Sequence, residues 1–222
     1  LRRVDPDGRT IGRFFADEIA APLGIEFHIG LPASVELDRV ATFVGGRKAA
    51  MLLHIREIPW PVLRRMLNPR SATFKAFTNP KALTKLPDIN NRSLLEIELP
   101  SVNGTGTARA LATVYGHLAV GGQRLGVTAE TMAEIERRQP ATSDVIFGIE
   151  SAFRFGYMKP FPILDFGTSP RAFGHTGSGG SFAYADPATG SGYAYVMNRA
   201  GYGLPTDPRE IALRDAVATS LT

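Results

Sequence analysis

The chain has 222 residues, of which 44% are hydrophobic and 21% charged, as expected for one large globular domain or two small ones. Its 25 basic and 21 acidic residues leave a net charge of +4, and because neither a long basic run nor an aromatic ladder accompanies that excess, nucleic acid is not an expected partner. The chain contains no cysteine, which excludes disulfides and thiolate chemistry, and none of its apolar runs approaches the ~18 residues of a membrane span.

An amphipathic helix is the first predicted element. Thr10 can cap its N-terminus, and Gly24, which follows Pro22 closely, can end it. The apolar residues between them recur at helical spacing: Ile11, Phe14, Phe15, Ile19 and Leu23. An extended segment over residues 25–31 is expected to follow.

Prolines divide the middle of the chain into short pieces. Residues 34–43 could form a helix, and residues 62–67 a shorter one. Residues 58–61 must be extended or turned, because a proline disfavours the helical conformation in the residue before it. Further breaks are expected at three more prolines: Pro80, Pro87 and Pro100. This region is therefore predicted to contain short helices and loops rather than a regular sheet.

Two helices with clear end signals come next. The first begins after Thr107 and stops at Gly121 and Gly122. Its apolar stripe consists of Ala108, Leu111, Ala112, Tyr115, Leu118 and Ala119. The second helix is predicted to run from Thr128 to about Arg138.

The last third of the chain changes to strand-like patterns. Five segments have this composition: residues 145–149, 152–158, 172–176, 181–186 and 192–198. A turn at residues 186–190 would join the last two as a hairpin. A helix capped by Asp207, with Pro208 in its first position and Glu210 completing a capping box, is predicted to close the chain.

These elements predict an α+β fold in which helices flank an antiparallel sheet. The part up to residue 142 is mainly helical, and residues 143–222 supply the C-terminal strands and the closing helix. The sequence shows no internal repeat.

Several common site chemistries find no support in the sequence. The histidines lie far apart and no acidic cluster has ligand spacing, so neither a metal nor a cofactor is expected. Neither a Gly-x-Ser-x-Gly elbow nor a Ser-x-x-Lys pair occurs. Gly104-Thr105-Gly106 could cradle an anion, but the lysine and third glycine of a phosphate loop are missing, which favours a turn leading into the helix after Thr107.

Residues 174–181 (Gly-His-Thr-Gly-Ser-Gly-Gly-Ser) are the most informative stretch of the chain. On composition alone, they are a glycine-rich start of a strand. A functional interpretation is a strand edge whose backbone N–H, just after Gly177, points into a cleft and stabilises an oxyanion.

The order of several short motifs resembles the serine β-lactamase-related esterases, which are similar to class C β-lactamases and D,D-peptidases. Residues 174–181, 185–187 (Ala-Asp-Pro) and 195–198 (Tyr-Val-Met-Asn) resemble the C-terminal block of that family. Residues 15–24 contain Phe-Ala-Asp-Glu-Ile and then Pro-Leu-Gly, which is similar to the end of a family helix. Residues 100–104 (Pro-Ser-Val-Asn-Gly) resemble the start of a later helix that faces the active site. No single motif is specific, whereas the ordered set is.

The resemblance implies roles for four residues on one wall of an acyl-transfer site. The family's Lys-Thr-Gly strand would correspond to His175, Thr176 and Gly177, which would face the substrate, and the backbone N–H of Ser178 would be one oxyanion-hole donor. Because a histidine is largely neutral near pH 7 where the family has a permanently charged lysine, neutral esters are favoured over β-lactams.

The resemblance also implies that part of the site is missing. The family's nucleophile lies in Ser-x-x-Lys and its second base in Tyr-x-Asn, and neither occurs in these 222 residues. We therefore expect this chain to be the C-terminal portion of a single β-lactamase-like domain and to be inactive alone. An N-terminal half or another chain would complete the site. An unpaired sheet edge is expected at residues 192–198. The expected substrate is a small ester or amide; alternatives are β-lactamase or D,D-peptidase activity and an inactive binding module.

Overall fold

The computed structural model describes four stretches of the chain: residues 1–45, 58–79, 89–201 and 207–221. The proline breaks predicted at Pro80 and Pro87 lie outside these stretches, as does His54. None of the helices in the described stretches is long and apolar enough to cross a membrane.

The described stretches contain seven α-helices. The first of them continues as a π-helical turn and then as one more α-helical turn. They are α1 (Ile11–Phe15, continued by Ala16–Ala20 and Ala21–Leu23), α2 (Trp60–Met66), α3 (Ala72–Thr78), α4 (Arg92–Leu95), α5 (Ala108–Ala119), α6 (Ala129–Glu136) and α7 (Pro208–Leu221). The end signals explain their limits. Thr107 accepts a hydrogen bond from Ala110 N at 3.1 Å at the start of α5, and Gly24 adopts a left-handed conformation after α1.

Within the same four stretches, nine short strands form three antiparallel sheets. They are β1 (Phe27–Ile29), β2 (Gly104–Gly106), β3 (Thr142–Ser143), β4 (Glu150–Ser151), β5 (Phe153–Arg154), β6 (Tyr157–Met158), β7 (Phe173–Thr176), β8 (Phe182–Asp186) and β9 (Ser191–Tyr195). β1 pairs with β2 and β3 with β4, while β5 to β9 form one sheet in sequence order. The predicted α+β class with an antiparallel sheet is confirmed.

The helix predicted over residues 34–43 is wrong. Only a 3₁₀ turn, Leu37–Arg39, forms there. The guanidinium of Arg92, far away in sequence, donates to the carbonyls of Pro32 and Val35. The Val35 carbonyl is thereby engaged by a side chain instead of by the amide four residues later, as a helix would require.

Two further local predictions need correction near prolines and glycines. α2 begins at Trp60, inside the segment predicted to be extended or turned, because Pro61 occupies an early helical position where its missing N–H has no consequence. Gly104-Thr105-Gly106 is a strand and not a turn. A Cβ on Gly106 would lie 2.4 Å from the Phe27 ring, so the glycine permits β2 to pair with β1.

The strand predicted over residues 145–149 is a turn. Asp144 Oδ1 accepts hydrogen bonds from Ile146 N and Phe147 N, both at 2.7 Å, which folds the backbone back on itself. The segment 152–158 is likewise not one strand but the hairpin β5–β6, whose turn places Phe155 at φ 49. The other three predicted strands are present as β7, β8 and β9.

The closing helix α7 begins as predicted, but its cap differs. Asp207 accepts a hydrogen bond from Arg209 N at 2.9 Å. Glu210 does not complete a capping box, because its buried carboxylate lies 3.4 Å from Arg214 on the next turn. The Arg214 guanidinium also stacks over the Phe182 ring, so α7 contacts β8 through a charged pair and an aromatic ring.

The core lies on both faces of β8, which is buried at all five positions. Phe182 and Tyr184 belong to the cluster on one face. Ala185 faces the other side, in a cluster with Phe173 and residues of α5 and α6. β9 pairs with β8 along its full length, and no other described strand pairs with its second edge, although Val44 bridges to Arg199 just beyond it.

Lys159, just after β6, connects the sheet to α6. Its side chain is 1% exposed, and Nζ donates to the carbonyls of Ile135, Glu136 and Arg171 at 2.8–3.1 Å. Two of these carbonyls terminate α6, where a cation is favourable. Burial lowers the pKa of Lys159 to about 8.

Two glycines allow α5 to lie directly on β9. A Cβ on Gly192 would meet Gly116 N at 2.2 Å and Ala112 O at 2.3 Å, whereas a Cβ on Gly116 would meet only Gly192 N, at 3.8 Å. The close approach therefore depends on Gly192, and the helical glycine has room for a methyl group.

Replacing each of these glycines by alanine should consequently have opposite effects. We expect Gly192→Ala to cost roughly 1–3 kcal/mol of unfolding free energy, because the helix must move off the sheet. Gly116→Ala should be neutral or stabilise by up to ~1 kcal/mol, because alanine favours the helix. Thermal or chemical unfolding of both variants tests this, and equal losses in the two would contradict it.

Candidate active site

The site candidate is the connection between β7 and β8. β7 pairs with β8 so that His175 lies opposite Ala183 and Thr176 opposite Phe182. Glycine is required at Gly174, where a Cβ would lie 2.2 Å from the Ala183 carbonyl oxygen. Strand pairing therefore fixes the backbone that leads to residues 177–181.

Residues 177–181 form a closed loop with its own hydrogen bonds. Gly177 N donates to Ser181 O at 2.6 Å, and Gly180 N donates to Gly177 O at 3.2 Å. Gly179 and Gly180 have φ values of 84° and 109°, which other residues rarely adopt. The turn is thus held in one conformation by backbone contacts.

Ser178 is exposed at the tip of this loop. Its backbone N–H donates to no other described residue, whereas the amides of Gly177 and Gly180 in the same loop do donate. An unpaired amide on a fixed turn can donate to an anion without a conformational change, which is the requirement for an oxyanion-hole donor.

His175 and Thr176 point to opposite faces of the sheet, as successive residues of a strand do. His175 is exposed, with its Nδ1 2.5 Å from the Thr176 carbonyl oxygen. A carbonyl only accepts, so Nδ1 is the donor in this contact and Nε2 is left outside it. Thr176 is half-buried and donates to Met158 Sδ at 3.7 Å. The structure therefore leaves His175 and Ser178 accessible and places the Thr176 hydroxyl under β6.

Aromatic side chains that no sequence motif indicated lie close to His175. The Phe153 ring lies 5.7 Å from the imidazole, centroid to centroid. Further along the same face, Phe173 stacks edge-on with Tyr157, and Tyr157 with Tyr115. Burial raises the pKa of both tyrosines, so their hydroxyls are neutral. Phe153, on the edge strand β5, would have been difficult to find from the sequence, because its contact with His175 spans 22 residues.

Within the described stretches, no group of histidine, aspartate and glutamate residues could hold a metal ion. The polar groups exposed at the loop include the backbone N–H and the hydroxyl of Ser178 and the imidazole of His175. Such a set can orient and polarise a carbonyl.

Comparison with known proteins identifies relatives for almost the whole chain. A family model described as Beta-lactamase matches residues 1–218. Among curated proteins, "Esterase/beta-lactamase LipL" of Mycobacterium tuberculosis (strain ATCC 25618 / H37Rv) is 32% identical over 197 residues, which are 86% of this chain and 44% of the relative. The chain thus spans less than half the length of this curated relative.

Solved structures match to a similar extent. A family VIII carboxylesterase superposes with a TM-score of 0.76 at 31% identity, over 100% of this chain and 54% of that chain. A penicillin-binding protein homolog from Caulobacter crescentus superposes with a TM-score of 0.75 at 34% identity, over 99% of this chain and 54% of that one. In both cases the aligned part is about half of the larger protein.

Proposed function

Because the chain belongs to the beta-lactamase family, we propose that it supplies one wall of the acyl-transfer site of a serine esterase. Its helices and antiparallel sheet form the β-lactamase and penicillin-binding-protein fold that the sequence motifs predicted. In the proposed arrangement, residues 1–222 are the C-terminal portion of a single domain. A Ser-x-x-Lys and a Tyr-x-Asn outside these residues complete the site.

The observation that carries the proposal is the unpaired N–H of Ser178 on its rigid loop. When a serine attacks an ester carbonyl, negative charge develops on the carbonyl oxygen, and this N–H would donate to it in the tetrahedral intermediate. The alcohol then leaves, and water releases the acyl group from the enzyme. Loss of one such donor typically costs ~2.7–4 kcal/mol of transition-state stabilisation.

His175 supports an ester as the substrate in preference to a β-lactam. The exposed imidazole contributes a ring nitrogen and an apolar ring face, and it lacks the permanent positive charge with which a lysine would pair with a carboxylate. The Phe153 ring beside it is 37% exposed and extends the apolar surface. An uncharged acyl or alcohol group fits this surface better than an anionic one. Gly177 would contribute backbone alone, since a Cβ there would meet the Ser181 hydroxyl.

The test compares this 222-residue chain with a full-length protein that also carries the upstream residues. We expect the full-length protein to hydrolyse p-nitrophenyl esters of short acids and to hydrolyse nitrocefin weakly or not at all. The isolated chain, shown to be folded by circular dichroism, should give neither turnover nor an acylation burst, because it has no nucleophile.

Two results would contradict parts of this proposal. Burst acylation of the isolated chain would show that the nucleophile lies within it. Efficient nitrocefin hydrolysis would favour the β-lactamase or D,D-peptidase alternative. An upstream sequence without Ser-x-x-Lys would favour an inactive binding module.

Restoring the charge at position 175 should change the substrate preference. In the full-length protein, His175→Lys is expected to raise the nitrocefin-to-ester ratio of kcat/KM about tenfold or more, because an ammonium can hold the β-lactam carboxylate. His175→Gln, which is neutral, is the matched control and should leave that ratio within about threefold. A ratio that moves equally in both variants would contradict a charge-based role.

Phe153 should influence how kcat/KM depends on the length of the acyl chain. Phe153→Ala is expected to lower kcat/KM for p-nitrophenyl hexanoate roughly tenfold relative to the acetate, since a longer chain would lose its apolar contact. Phe155 is 68% exposed at the tip of the same hairpin, and Phe155→Ala is the control that should preserve the chain-length profile. An unchanged profile in Phe153→Ala would place the acyl group elsewhere.

A further inference from the structure

We propose that the ion pair between Asp207 and Arg209, at the start of α7, is a positioning device that holds the Ser178 loop in the conformation needed for oxyanion binding. The inference rests on the proposed function and deepens it, because it assigns a role to two residues that would not touch the substrate.

Asp207 is placed to act as a fixed charge. Its side chain is 2% exposed, and Oδ2 accepts from Arg209 Nη2 at 2.6 Å. Oδ1 accepts from Arg209 Nε and from Arg209 N, both at 2.9 Å. The hydrogen bond to the Arg209 side chain lowers the pKa of the carboxyl, so Asp207 is ionised at neutral pH. A two-point contact of this kind sets both distance and orientation.

The carboxylate lies directly against the loop. A Cβ on Gly180 would be 2.6 Å from Asp207 Oδ2, and a Cβ on Gly201 would be 2.0 Å from the same oxygen. Two glycine backbones therefore pack against one buried oxygen atom. Gly180 is two residues from Ser178, so a displacement of this carboxylate would be passed to the loop by direct contact.

A second connection runs through the segment that follows β9. Arg209 Nη2 donates to the Arg199 carbonyl at 3.1 Å, and Gly201 N donates to the Gly179 carbonyl at 2.8 Å. Arg209 thus holds residues 199–201, which in turn hold the residue adjacent to Ser178. The loop is fixed from outside by Asp207 on one side and by this hydrogen-bonded segment on the other.

A fixed position of the Ser178 N–H should affect the free energy of the transition state more than that of substrate binding. A donor aimed at the developing oxyanion loses its effect when it moves by about 1 Å, and the loss can reach 10²-fold. Because the ground-state ester makes a weaker contact with the same N–H, loosening the loop should lower kcat and leave KM almost unchanged.

Asp207→Asn separates this role from helix capping. Asparagine caps a helix about as well as aspartate, so the start of α7 should persist. Its amide has one acceptor oxygen and no charge, so it cannot bind both edges of the Arg209 fork. Arg209→Met removes the fork from the other side and leaves Asp207 in place.

The experiment uses the full-length protein with Asp207→Asn, Arg209→Met and, as a control, Arg13→Met, which removes the Arg13–Asp17 ion pair of 2.8 Å in α1. We expect the first two variants to lower kcat for p-nitrophenyl acetate about 10- to 100-fold with KM within about threefold. Their affinity for a boronic acid, which binds as a tetrahedral anion, should fall about as much as kcat. Arg13→Met should match the unmodified protein in all three quantities.

Amide hydrogen exchange gives a readout that does not depend on activity. In Asp207→Asn and Arg209→Met, the Gly201 and Gly180 amides should exchange at least tenfold faster, whereas amides within α5 should be unaffected. Unchanged kcat and unchanged exchange in both variants would overturn the positioning role, as would a loss of kcat explained entirely by a smaller fraction of folded protein. If the unmodified protein hydrolyses no ester, the proposed esterase function fails, and the exchange data alone decide whether the pair holds the loop.

Discussion

The structure depends on the alternation of large and small residues along β8. Phe182 and Tyr184 fill the core on one face, while Ala183 and Ala185 leave the other face shallow enough for helix packing. Gly192 continues this shallow face onto β9, where α5 comes within contact of the backbone. Because both faces of β8 are covered, its register cannot shift without exchanging aromatic rings for alanine methyl groups.

The pairing of β7 with β8 determines the geometry of the candidate site. β7 is paired with β8 over its full length, which places His175 on the same face as Ala183 and Thr176 on the opposite face, that of Phe182. The loop after Gly177 begins where this pairing ends, and it is closed by backbone hydrogen bonds and by contacts from the start of α7. Catalytic residues need not be near one another in sequence when the sheet determines which side each residue faces.

Local signals predicted part of this arrangement. Caps and periodicity identified α1, α5, α6 and α7, because Thr107 and Gly24 act on their own neighbourhoods. Failures occurred where a side-chain contact decides the backbone conformation, as with the Arg92 guanidinium on the Val35 carbonyl and the Asp144 carboxylate in the turn at residues 145–149. The ordered motifs indicated Ser178 and His175 as candidates. Neither the contact of Phe153 with His175 nor the proximity of Asp207 to Gly180 could be predicted, since each joins residues about 20 or more positions apart.

Lys159 has a consequence for the chemical reactivity of the molecule. Amine-reactive reagents attack an unprotonated, accessible lysine, and this one is enclosed by three carbonyl groups with its side chain 1% exposed. Acylation of Lys159 must therefore wait until α6 separates from the strands, whereas an exposed lysine such as Lys75 reacts from the folded state. The ratio of the two labelling rates thus measures how frequently the junction between the helical part and the sheet opens.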